Sequence, residues 1–386
     1  MRLIYLDNAA NTYVSYAAGK AVLNEMSHVG NPSSIHFKGE EARRRLENVE
    51  ENILDCIGCD YGRVYFTSGG TEANNIALHI LADYGKKHNK THFITTMFEH
   101  SSILQTFSKL EKEGFYVTYV RPDSTGIIQA KDIESEITES TIAVSMMFVN
   151  NDLGTIQPVK TVGDICKKHN IYFHCDAVQA IGHIPINMFD NGITFLSASA
   201  HKFGGISGTG FLAQSRTFKE KVISPFICGG KQNYGIRAGT ENMIGVMAMN
   251  AAVTEATNPE HLKRKQKENT KLFNQFVDLL KTIPHTRFNG SLDLNHRIPS
   301  NINVSFRDIN AENLIYLLSS DEVYVSASSA CESKTGNPNK ALYSIGVDPR
   351  YVDGTLRITM SNYTTTEDIH RAFERIDYWV KTLRNK

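Results

Sequence analysis

The sequence predicts an α/β fold: a mostly parallel sheet of the seven-stranded type with helices on both faces, followed by a smaller α+β domain. Three observations carry this. From about residue 60, short apolar runs rich in β-branched and aromatic residues alternate with longer segments of helical period, the pattern of a parallel sheet covered by helices. The runs end in polar residues, as strands do where a ligand site opens beyond them. A charged stretch at 258–283 then separates this alternation from a different pattern of strands and helices.

The expected strands of the large sheet are VYFT (64–67), HFITT (92–96), YVTYV (116–120), IAVSMMFV (142–149), IYFHCD (171–176), TFLSAS (194–199) and GFLA (210–213). ENMIGVMAMNAAVTEA (241–256) reads as a helix, and residues 258–283 as a long amphipathic helix leading into new structure. The remainder holds expected strands at NINVSF (301–306), VYVSA (323–327) and LRITM (356–360), with helices at about 311–319 and 366–384. The expected division is a large domain over 13–257 and a small one made of 1–12 and 258–386.

Bulk composition narrows the function classes. The 386 residues are 41% hydrophobic and 21% charged, enough to bury a large core. Lys plus Arg (41) balances Asp plus Glu (41), so the electrostatic footprint of direct nucleic-acid binding is missing. No run approaches the roughly twenty apolar residues that cross a bilayer. Six cysteines without framework spacing fit a reducing compartment, and the expected location is cytoplasmic.

Several segments carry residues suited to chemistry. Lys202, in SASAHKFGGISGTG (197–210), follows an apolar strand beside a His and a Ser. There its amine can be desolvated enough to form an imine, although an isolated loop lysine is usually a solvated charge. In HCDAVQAIG (174–182), Asp176 ends a strand and Gln179 follows in an expected turn into a helix. Asp176 fits either a helix cap or a carboxylate paired with a protonated ring nitrogen. TSGGTEANN (67–75) puts Gly70 and Thr71 at a helix N-terminus, either an anion cradle or a simple turn and cap. His100, in EHSS, suits a proton shuttle, a stacking partner or a structural hydrogen bond. Cys166 and Cys175 read as buried structural thiols. Cys56 and Cys59 form a lone C-x-x-C without a second pair or His cluster, so no metal site is expected.

In combination these motifs closely resemble the pyridoxal-phosphate site of fold-type I, class V aminotransferase-like enzymes, and within them the NifS-like cysteine desulfurases. The resemblance runs through YLDNAANT (5–12), GNPSSIHFKGEEAR (30–43), FTSGGTEANN (66–75), EHSS (99–102), VNNDLGTIQP (149–158), HCDAVQ (174–179), SASAHKFGG (197–205), GIRAGTEN (235–242), SASSAC (326–331) and LRITM (356–360). It implies that Lys202 binds the cofactor covalently, Asp176 pairs with its pyridine nitrogen, Gln179 bonds its ring hydroxyl and His100 stacks on the ring. Thr71, Ser199 and His201, beside Gly70, would hold the phosphate, with Thr240 from a neighbouring subunit of a homodimer. Asn151 and Arg357 would receive the substrate carboxylate, for which the planar guanidinium offers two parallel donors.

The resemblance makes Cys331 the nucleophile, in a Ser-, Gly- and Asn-rich segment that reads as a mobile loop. The implied reaction converts L-cysteine to L-alanine and leaves a persulfide on Cys331. A sulfur-acceptor protein, an iron–sulfur scaffold or a tRNA-thiolating enzyme, would collect it. His100 is the implied proton carrier. Ser328, Thr359, Ser361 and Ile206 depart from the family pattern, bearing on loop timing and acceptor choice rather than on the cofactor site. The alternatives are a selenocysteine lyase or another lyase or aminotransferase on the same scaffold, and a catalytically silent platform for sulfur-acceptor proteins. Cys331 argues against the aminotransferase, and the intact set of Lys202, Asp176 and Cys331 against the platform.

Overall fold

The protein is described from a computed structural model covering residues 3–220, 223–327 and 340–385. All seven expected strands form one sheet, in the order Gly62–Thr67, Gly210–Ser215, Phe195–Ser199, Tyr172–Asp176, Thr141–Met147, His92–Thr96 and Tyr116–Val120. Only Gly210–Ser215 runs antiparallel to its neighbours.

The two-residue period of a strand sends alternate side chains to opposite faces. Val64 and Phe66 enter one core with Leu196, Phe211 and Ala213, while Tyr65 enters another with Phe195 and Leu212. Helices Phe37–Cys56, Val159–Lys168 and Met243–Thr257 pack into the first core, and Gly70–His88 and Ser101–Lys112 into the second. Both faces are therefore covered, which is why the central strands read as near-continuous apolar runs.

The C-terminal part builds a separate antiparallel sheet, ordered Ser326–Ala327, Thr355–Thr359, Asn301–Phe306 and Thr286–Phe288. Helices Pro259–Leu280, Ala311–Ser320 and Thr366–Arg384 supply the apolar stripes of a third core, which Ile4 and Leu6 complete. Thr365 and Asp368 close a capping box at the start of the last helix.

Two expectations are corrected. VYVSA is not one strand: Val323–Tyr324 pairs in parallel with Ile4–Tyr5, whereas Ser326–Ala327 pairs with Thr355–Thr359. The chain changes sheets at Val325 because the N-terminal segment claims the first half. After Asp176 the chain makes successive turns rather than a helix. Asp176 Oδ1 accepts from the Val178 amide (3.0 Å), closing a local turn instead of capping a helix.

Candidate active site

One cavity of about 490 Å³ opens beyond the carboxyl ends of the large sheet, toward the small antiparallel sheet. Gly70, Thr71, His100, Asn151, Asp176, Gln179, Ser199, His201, Lys202 and Arg357 all line it. Thr240 does not: it is exposed and lies outside the cavity of its own chain. Cys331 and Ser328 lie outside the described residues, but Ser326, Ala327, Lys340 and Ala341, on either side of that segment, line the cavity.

At one end the helix Gly70–His88 begins without a side-chain cap, leaving its first amides to be satisfied from the cavity. The approach is close-packed: a Cβ on Gly70 would stand 2.6 Å from Val178 Cγ2, and one on Gly69 3.3 Å from Ser199 Oγ. Ser199 Oγ lies 3.0 Å from His201 Nδ1. Burial, and then the neighbouring charge of Lys202, lowers His201 to a pKa of about 4, so its ring is neutral near pH 7. Open amides, two hydroxyls and an imidazole at a helix N-terminus make an anion site. Glu72, in the first turn, binds Arg237 (2.9 Å) and so ties the GIRAGT segment to this end.

On the floor, Asp176 Oδ2 accepts from Asn74 Nδ2 (2.8 Å). Asn74 also donates to Ser102 Oγ (2.9 Å), which lies 2.8 Å from His100 Nδ1. The Ser102 amide donates to the same Nδ1 (3.1 Å), which assigns the proton of a neutral ring to Nε2. His100 makes a structural hydrogen bond, capping the helix Ser101–Lys112, and also lines the cavity. Lys202 Nζ donates to the carbonyls of Ala9 (2.5 Å) and Ala10 (2.7 Å), and Gln179 Nε2 to Ala9 (3.0 Å). The N-terminal motif therefore forms a wall of the site.

At the far end Arg357, central in its strand, donates through Nη2 to Asp7 Oδ1 (3.0 Å) and stands 3.6 Å from Asp152. Its Nη1 also reaches the Asn151 carbonyl (3.4 Å), while its buried Nε has no partner. Thr359, one of the departures, accepts from the Ala9 amide (2.9 Å) and so helps seat the same N-terminal wall.

Sequence reasoning missed Asp7, Asn74, Glu99, Ser102 and Asp152 as site residues. All but Ser102 and Asp7 line the cavity. Asn74 was signalled by its position one helical turn beyond Gly70 and Thr71, on the same face. Asp7 lies in the YLDNAANT motif, but its pairing with Arg357 gave no signal, because that partner is 350 residues away.

Among the described residues no group of three or more metal-ligating side chains occurs, and Cys59 is buried with its thiol raised to about 11. Burial raises Cys166 to about 12 and pushes Cys175 well up, the behaviour of structural thiols.

Residues 4–372 match the family model described as Aminotransferase class-V. A cysteine desulfurase IscS of Clostridium botulinum is 38% identical over 390 residues, covering 99% of this chain and 95% of the relative. A solved NifS-like protein superposes with a TM-score of 0.90 at 33% identity, covering 99% of this chain and all of the other (100%). A structure described as SspA in complex with cysteine gives a TM-score of 0.79 at 30% identity, covering 94% of this chain and 99% of that one.

Proposed function

Because the chain belongs to the class-V aminotransferase family, we infer that it is a pyridoxal-phosphate-dependent cysteine desulfurase, converting L-cysteine to L-alanine and passing the sulfur to Cys331. The observation that carries this reading is the single cavity: ten residues expected from separate motifs, between positions 70 and 357, line it together.

The donor set fits pyridoxal phosphate. The uncapped helix start with Thr71, Ser199 and His201 suits the phosphate; Asp176 suits the ring nitrogen, Gln179 the ring hydroxyl and His100 the ring face. When bound, the group acts as an electron sink for the carbon that loses a proton. The chain's own residues supply the rest. Arg357 and Asn151 receive the substrate carboxylate and so orient the Cα–H bond. Arg357 reaches its substrate only by exchanging part of its bonding to Asp7 and Asp152. The Lys202 amine takes the Cα proton and His100 carries a proton at the thiol. The Cys331 thiolate attacks the substrate sulfur: an S–S bond forms, the carbon–sulfur bond breaks, and its electron pair stays on the carbon skeleton, which is protonated and leaves as alanine.

Finer assignments belong to the same reading. Residues 13–257 form the cofactor domain, and 1–12 with 258–386 the small domain; a third core built from the chain's two ends supports this, although Ile298 and Ala341–Val352 pack with the large sheet. An exposed Thr240 tethered beside the phosphate end suits donation to a neighbouring subunit, hence a homodimer. A cytoplasmic location, and an acceptor protein for iron–sulfur assembly or tRNA thiolation, complete the proposal.

Two substitutions test it. Lys202→Ala should abolish the visible absorbance of a lysine-bound cofactor, and its persistence would remove Lys202 as the anchor. Cys331→Ser should lose cysteine-dependent persulfide, detected by mass spectrometry, and alanine formation at the wild-type rate would refute the nucleophile assignment.

A further inference from the structure

Glu99 is a second carboxyl on the cavity floor, and the mechanism above does not use it. It is 5% exposed, precedes His100 and lines the cavity. Its carboxyl bridges the carboxyl ends of adjoining strands: Oε1 accepts from Thr96 Oγ1 (2.6 Å) and from the Met147 amide (3.0 Å). Met147 is the register partner of Asp176 in the neighbouring strand. Glu99 Oε2 is buried without a hydrogen-bond partner.

The two carboxyls are solvated differently by the protein. Asp176 has a donor on each oxygen, Asn74 Nδ2 on Oδ2 and the Val178 amide on Oδ1. Glu99 has both donors on Oε1 and none on Oε2, where an unmatched hydroxyl costs less than an unmatched charged oxygen. Leaving an ionised Oε2 buried and unsolvated beside another carboxylate would cost the full desolvation of that oxygen. Among the described residues neither Glu99 oxygen is hydrogen-bonded to a cationic side chain. Cys175 is an un-ionised buried thiol, and His100 has Nδ1 engaged as a cap. Lys202 is bonded to the Ala9 and Ala10 carbonyls and Arg357 to Asp7.

We propose that Glu99 is a positioning residue held as a neutral acid with its proton on Oε2, so that it places no negative charge of its own beside Asp176. This rests on the reading of Asp176 as the partner of the pyridine nitrogen. Of two neighbouring carboxyls, the one whose surroundings penalise the charge more keeps its proton. Here burial and one-sided hydrogen bonding keep the proton on Glu99, so Glu99 adds no charge of its own beside the carboxylate that would face the ring nitrogen. The pKa of Glu99, raised to about 8 by burial against the opposing bonds from Thr96 and Met147 and with a further upward push from Asp176, agrees with this geometry.

The test uses infrared difference spectroscopy of the full chain without cofactor, and visible titration of the same protein reconstituted with pyridoxal phosphate. At neutral pH the wild type should show the C=O stretch of a protonated carboxyl that shifts in heavy water, disappears in alkali and is missing from Glu99→Gln. Because glutamine mimics the neutral acid, the pH midpoint of the visible band in Glu99→Gln should move by less than about 0.5, whereas removing a full charge beside Asp176 would lower it by about 1 or more. A wild type without the protonated-carboxyl band, or a Glu99→Gln midpoint lowered by that larger amount, overturns the proposal. The infrared result on the wild type decides it even if the variant fails to fold. A wild type that shows the band but takes up no cofactor would instead overturn the cofactor reading and leave the protonation of Glu99 established.

Discussion

Arg357 shows how a single side chain can be both committed and available. Asp7 and Asp152 hold the guanidinium in place, so in its proposed role it would meet a substrate carboxylate by exchanging part of that bonding, from a position already aimed. Lysine at this position would keep the charge and lose the fork. Arg357→Lys should therefore raise KM for cysteine about 10- to 100-fold, the loss of about 1.4–2.8 kcal/mol of charge-assisted hydrogen bonding, with a smaller change in kcat in steady-state assays. His174 illustrates a residue with a structural role only. It lies between Ser145 Oγ and Ser197 Oγ, each 2.9 Å away, and burial lowers its pKa to about 3. The unfolded chain, with an ordinary histidine pKa of about 6.5, binds more protons between those values, so stability falls as pH drops from about 6.5 toward 3. His174→Gln should have a lower melting temperature at neutral pH but lose less of it between about pH 6.5 and 4, as thermal scans across pH would show.

At the scale of elements, the turn after the strand Thr141–Met147 is held by the small sheet. Three successive carbonyls receive side-chain donors from the segment 297–303: Asn301 Nδ2 to Asn151 (3.4 Å), Asn303 Nδ2 to Asp152 (3.1 Å) and Arg297 Nη2 to Leu153 (3.0 Å). Arg297 is 1% exposed, also donates to the carbonyls of Ser291 and Asn301, and lies over the Phe273 ring at 5.0 Å. Burial lowers it to about 9, still charged at neutral pH. The cation is thus neutralised by carbonyl dipoles rather than by a carboxylate, and it joins the turn carrying Asn151 to the sheet carrying Arg357. Arg297→Met would leave the carbonyls of Ser291, Leu153 and Asn301 without this donor, at roughly 1–3 kcal/mol for each that finds no other partner. Lower thermal stability should be accompanied by a raised KM for cysteine, because Asn151 loses its fixed position.

For the whole molecule, the chain's two ends meet in one core, and a cavity lies where that core faces the carboxyl ends of the large sheet. The surface supports the proposed dimer. Between residues 16 and 37, Tyr16, Leu23, Met26, Val29, Ile35 and Phe37 are all at least 66% exposed. So dense a run of exposed large apolar side chains marks an interaction surface. Sedimentation should give twice the 43.2 kDa chain mass, and Leu23→Asp combined with Phe37→Asp should shift the protein toward that single-chain mass and weaken cofactor retention through Thr240.

By itself the sequence determined the seven strands of the large sheet, the C-terminal helices and ten of the residues that line the cavity, because those signals are local. A strand buried on both faces must be apolar throughout, a helix must show its period, and a polar residue at a strand end stands out against its run. Tertiary structure alone decided what depends on distant partners. Only in three dimensions does the N-terminal segment take Val323–Tyr324 away from the strand expected to continue through Ala327. Only there does Asp7 meet Arg357, Arg297 hold the Asn151 turn, and Glu99 lie beside Asp176 with one oxygen unbonded. Periodicity reports the burial of apolar surface; polar pairing across hundreds of residues leaves no period to read.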